Sequence, residues 1–198
     1  MNTLASLLTD RHLLVRAATG LLVGTPIFFG VWALSLAWLP EGLFRQLPLP
    51  SIGTCEANAA NGVRLFIWNL ILTGGVVALS SLFAVGRFPY GYVMPWLLFG
   101  VYGGMLGTNS FLCAGVSDPV PLSISVLWTR AGFREIAGYL LIAAALANHF
   151  MWRQSSFFSH RVERVRTLKE LKLDCGAIIG LLAGILLLGW AAVAEVMP

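Results

Sequence analysis

Charge is scarce in this 198-residue chain, where Asp, Glu, Lys and Arg together make up 11%. A water-soluble domain carries roughly 25%, so there are too few ionised groups to cover a solvated surface. Cysteine is scarce as well. Three residues, Cys55, Cys113 and Cys175, exclude a disulfide scaffold. The three histidines, His12, His149 and His160, show no His-x-x-x-His spacing, and there is no Cys-x-x-Cys, so no metal or haem motif is legible. No glycine-rich loop runs on to Lys-Ser/Thr, and Ser80-Ser81 has no base nearby. The net charge of +4 is too modest for a nucleic-acid surface. The expectation is a non-enzymatic protein without cofactor, metal or nucleic-acid partner.

What is present is apolar. Hydrophobic residues make up 58% and the mean hydropathy is +0.80. A helix needs about 20 mostly apolar residues to cross a hydrocarbon core, and five runs approach that length: 17–39, 63–85, 91–112, 132–151 and 175–196. The expected fold is all-α: one integral membrane domain over 1–198, a polytopic bundle of about five spans. The 21 glycines suit it, because small residues let helices approach closely in lipid. Pro26 and Pro95 fall inside the first and third runs and are expected to kink them. The seven tryptophans mostly lie near span ends, as interfacial anchors do.

Basic residues set the orientation. With the N-terminus inside, Arg11, Arg16, Arg87, Arg153, Arg161, Arg164, Arg166, Lys169 and Lys172 fall inside, and Arg45, Arg64, Arg130 and Arg134 outside, nine against four. This predicts a cytoplasmic N-terminus and an outside C-terminus, and the expected location is a bacterial inner membrane. Cys55 and Cys113 then share the oxidising side and form the candidate disulfide, while Cys175 is inside.

Before the last span, Phe158, Val162, Val165, Leu168 and Leu171 recur at three- and four-residue spacing. They predict an amphipathic cytoplasmic helix with Arg166 and Glu170 paired at i, i+4. Arg161, Arg164, Lys169 and Lys172 on its other face are expected to meet anionic lipid or a partner.

An ionisable group inside a span is expensive unless paired. Glu135 and Arg134 open the fourth span, and Arg64 and Asn69 open the second from the same side. These four form the expected polar cluster, with Glu135 paired to Arg64 or Arg134. The plainer reading is a buried pair that fixes packing; the alternative is a protonatable site on a transport path.

The order of these features resembles the stage II sporulation protein M (SpoIIM-like) family. The residues that carry the resemblance are Arg64-Leu-Phe-Ile-Trp-Asn69, Gly103-Gly-Met-Leu-Gly107 and Ala131-Gly132-Phe-Arg-Glu135-Ile-Ala-Gly138. Gly103, Gly107, Gly132 and Glu135 fit the family pattern. Asn69 stands alone where a pair is usual, Tyr102 stands for the Asn before Gly103, and Ala131 for the His before Gly132. The resemblance implies a membrane scaffold or accessory subunit that acts through other membrane proteins. The alternatives are a transporter or channel for a small solute or ion, and a small subunit of an energy-converting complex.

Overall fold

A segment in hydrocarbon satisfies its own backbone groups only by coiling, and the apolar runs of this chain do so. The computed structural model describes residues 2–46, 59–110, 127–128, 132–156 and 158–196. Cys55 and Cys113, and with them the expected disulfide, lie outside the described residues. The helices are α1 (Asn2–Leu8), α2 (Leu13–Trp38), α3 (Ala59–Trp68), α4 (Gly75–Ser81), α5 (Val93–Gly107), α6 (Phe133–Leu146) and α7 (Cys175–Val196). A π-helical turn, Asn69–Gly74, joins α3 to α4 in one rod.

Three stretches, Leu13–Trp38, Gly62–Ser81 and Cys175–Ala194, are long and apolar enough to cross a membrane. Leu22, Leu36, Ile71, Leu79, Leu182 and Leu186 are exposed on them, a surface suited to lipid. The chain is a mostly helical membrane protein.

The runs at 91–112 and 132–151 form shorter helices than their apolar pattern implies. With 15 residues in α5 and 14 in α6, each rises only about 21–22 Å. Eleven of the fourteen α6 residues are buried, so α6 is the helix around which the others close, and its apolar character is that of a protein interior.

Contacts fix the helix directions. Gly20 meets Tyr92, Gly24 meets Phe99, Phe28 meets Gly103 and Trp32 meets Gly107, so α2 and α5 run parallel. Gly180 meets Ala145 and Gly184 meets Gly138, so α6 and α7 run antiparallel. At these crossings glycine lets backbone touch backbone: a Cβ on Gly184 would stand 2.8 Å from the Gly138 carbonyl oxygen. Pro95 lies in the first turn of α5, where its missing N–H is one that a helix leaves unpaired anyway. Pro26 is interior to α2. The Trp96 indole N–H donates to the Gly20 carbonyl at 2.9 Å, tying α5 to α2.

A small sheet covers one end of the bundle, in the order β2-β1-β3-β4: β1 (Phe83–Val85), β2 (Phe88–Pro89), β3 (Trp152–Gln154) and β4 (Val162–Arg164). Gly86, at φ +61, supplies the positive φ of the two-residue hairpin turn between β1 and β2. β1 follows α4 and pairs in parallel with β3, which follows α6, so α4 and α6 end on the same side.

The amphipathic helix expected over 155–172 is not formed. Its first half contains β4, the second strand of the β3–β4 pair, and among the described residues only Leu168–Glu170 makes a helical turn, of 3₁₀ type. The reason is partly local and partly distant. Ser159 accepts the Arg161 N–H through its hydroxyl, competing with helical bonds, and the β-branched Val162 pairs across from Gln154 on a strand edge that β1 has already templated. Phe158 of the expected apolar stripe is 93% exposed.

Candidate functional site

Two polar clusters cap the two ends of buried α6. At its start, Gly132 has φ +67, a left-handed conformation that costs other L-residues strain. The Tyr102 ring lies where a Cβ on Gly132 would project. That absence of a side chain lets the Tyr102 hydroxyl reach past the helix cap and donate to Glu135 Oε2 at 2.6 Å. The Asn69 amide donates to the other oxygen, Oε1. Glu135 is 4% exposed, and both its oxygens accept from side chains on other helices. Asn69 is held in turn, as its backbone carbonyl accepts from the Tyr139 hydroxyl at 3.4 Å.

The site lies inside a stretch long and apolar enough to cross a membrane. Asn69 is seven residues into the apolar stretch Gly62–Ser81, about 10 Å along its axis. It also begins the π-helical turn, a distortion that frequently marks functional sites.

Arg134 is buried beside Glu135, near enough for its charge to act on that carboxyl. Its Nε donates to the Trp128 carbonyl at 2.8 Å, and its guanidinium lies 5.4 Å from the centroid of the Trp190 ring. Arg64 does not join the cluster. It is exposed, because five residues carry it about 140° around the helix from Asn69. Of the two expected partners of Glu135, Arg134 is therefore the one at hand, and Asn69 and Tyr102 take the place of Arg64. Of the packing glycines, Gly103 lies against the Phe28 backbone, and Gly107 would place a Cβ 2.5 Å from the Trp32 carbonyl.

The second cluster gathers where α6 ends. Arg16, expected as a flanking charge, is 2% exposed. Asn148 accepts from Arg16 Nη1 at 2.7 Å and donates to the Thr9 carbonyl at 3.2 Å. The Tyr92 hydroxyl donates to the Arg16 carbonyl at 3.2 Å. Arg166 donates to the Asn148 carbonyl at 2.8 Å, and its charge also acts on Glu170, though not across one helix turn. Together these bonds tie the chain before α2, the start of α5, the end of α6 and the β4 segment into one knot.

Arg161, Arg164, Lys169 and Lys172 are all exposed, on β4, its approach and the turn beyond. There the Glu170 carboxylate accepts from the Thr167 N–H at 2.8 Å and the Thr167 hydroxyl oxygen accepts from the Glu170 backbone N–H, completing a capping box. The Thr167 N–H holds the exposed Glu170 carboxyl below the usual carboxylate range.

Among the described residues, no three His, Cys, Asp or Glu side chains converge as metal ligands would. Sequence reasoning missed Tyr102, Tyr92, Arg16 and Asn148. A signal existed for Tyr102 alone, as the polar residue one position before Gly103. No family model, curated protein or solved structure matches the chain.

Proposed function

We propose that this protein is a non-enzymatic membrane scaffold or accessory subunit that acts through partner membrane proteins, as the resemblance to the SpoIIM-like family implies. The observation that carries the reading is the closed state of Glu135: each oxygen accepts a side-chain donor from a different helix. A carboxylate used this way fixes helices against one another, whereas a transport residue keeps a face for its solute. In this reading Tyr102 fills the role of the Asn that the family carries before Gly103.

α5 and α6 complete five passes, with α2, α5 and α7 running one way and the α3–α4 rod and α6 the other. The basic sheet side, with the N-terminus, faces the cytoplasm of a bacterial inner membrane. The working surface is then the lateral one, the exposed apolar faces of α2, α4 and α7.

Photo-crosslinking side chains placed at Leu72, Val76, Leu182 and Leu186, all lipid-facing, test this in native membranes. The expected outcome is a discrete protein adduct from one face and lipid adducts from the others. Lipid adducts alone from every face would contradict the scaffold.

A further inference from the structure

Where α4 meets the sheet, the surface opens into a crevice of about 450 Å³. Its walls are Val76 and Leu79 of α4, Phe83 of β1 and Val162 of β4, with Tyr90 and Gln154 adding polar groups. Val76 and Leu79 are themselves exposed on the face that the α3–α4 rod turns to lipid, so the crevice continues the lipid-contacting surface. It sits at the end of a membrane-length stretch, which finishes at Ser81. Phe83 stacks on Trp152 at 4.9 Å beside it, the kind of aromatic pair that settles at headgroup level.

A positive charge lies at the same corner. Residues alternate faces along a strand, so Arg164 shares the face of Val162, opposite Trp152 in the β3–β4 register, and is exposed. Glu163 falls on the other face, across from Arg153, and so by the same alternation does Arg161; the carboxylate that the Arg164 charge acts on is the exposed Glu170 beyond the strand. An apolar slot that opens to lipid and is edged by a guanidinium group matches an acyl chain joined to an anionic headgroup.

We propose that this crevice binds one anionic phospholipid of the surrounding leaflet, with an acyl chain between α4 and the sheet and its phosphate against Arg164. The site is independent of the scaffold reading and of Glu135.

The test is native mass spectrometry of the full chain in mild detergent, titrated separately with phosphatidylglycerol and phosphatidylcholine. Wild type is expected to retain one phosphatidylglycerol at concentrations at least about tenfold below those needed for phosphatidylcholine. Val162→Trp fills the crevice from a position that is 54% exposed, and is expected to cut that retention about tenfold or more with the helical circular dichroism unchanged. The variant R164Q is expected to abolish the preference while weak binding of both lipids survives. Its position is exposed, so it decides the matter even where Val162→Trp does not fold. Equal retention of the two lipids by wild type, or an undiminished preference in R164Q, would overturn the proposal.

Discussion

Glu135 shows how a single residue at depth sets the terms for its neighbours. A buried donor left without its acceptor costs roughly 1–3 kcal/mol, and Glu135 serves two of them, on Asn69 and Tyr102. Glu135→Leu orphans both and is expected to lower stability in detergent by about 2–6 kcal/mol. Glu135→Gln is expected to cost less, because it keeps one carbonyl and a tyrosine hydroxyl also accepts hydrogen bonds. Thermal unfolding that left Glu135→Leu as stable as wild type would show that the carboxyl holds nothing.

Part of this site was legible beforehand. Glu135 and Asn69 stood out because ionisable and amide side chains are rare in apolar runs. Tyr102 carried only the weaker signal of its place before Gly103, since a tyrosine in a membrane helix looks like any other aromatic, and its distance to Glu135 reveals the role. Arg64 misled for a geometric reason: sequence proximity to Asn69 placed it at the right end of the helix but on the wrong side.

At the scale of elements, glycine decides the crossings. Gly138 and Gly184 face each other with no room for a methyl group, whereas a Cβ on Gly75 meets nothing within 4 Å. Gly184→Leu is expected to block assembly of α6 on α7, seen as loss of a monodisperse folded species. Gly75→Ala is expected to be neutral, or stabilising by up to about 1 kcal/mol through helix propensity. Equal behaviour of the two variants would contradict close packing of α6 on α7.

The segment 155–172 shows where periodicity fails. Its three- and four-residue apolar spacing was real, but Val162 also fits a pleated strand, and the edge of β1 that recruits β3 comes from residues about 70 positions earlier. No local window contains that information. The turn that remains helical rests on Glu170, whose carboxyl is held below its ordinary range by Thr167. A lowered folded-state value means that this contribution is complete above the ordinary carboxylate range, about 4.3. It is lost as pH falls through the lowered value. Exchange of the Thr167 amide is therefore expected to stay slow at neutral pH and to accelerate on acidification below pH 4. Exchange indifferent to pH, after correction for its intrinsic rate, would contradict the capping box.

For the whole molecule, the account rests on a bundle closed around α6, with polar groups at both ends of that helix used as fasteners. Its long spans were evident from composition, because α2, the α3–α4 rod and α7 are both apolar and uninterrupted. The shortness of α5 and α6 was not legible, since a helix buried in protein and one buried in lipid use the same side chains. If Glu135 served a path for solute, water would reach along α6 from its start toward its end, past Ala143, which is 0% exposed. The direct measurement is therefore water access at Ala143→Cys, in a chain whose native cysteines are replaced by serine, probed in sealed vesicles with a small charged thiol reagent. The closed bundle gives no labelling from either side and full labelling after denaturation. Labelling of the folded protein from either face would contradict the closed bundle and return Glu135 to a transport role.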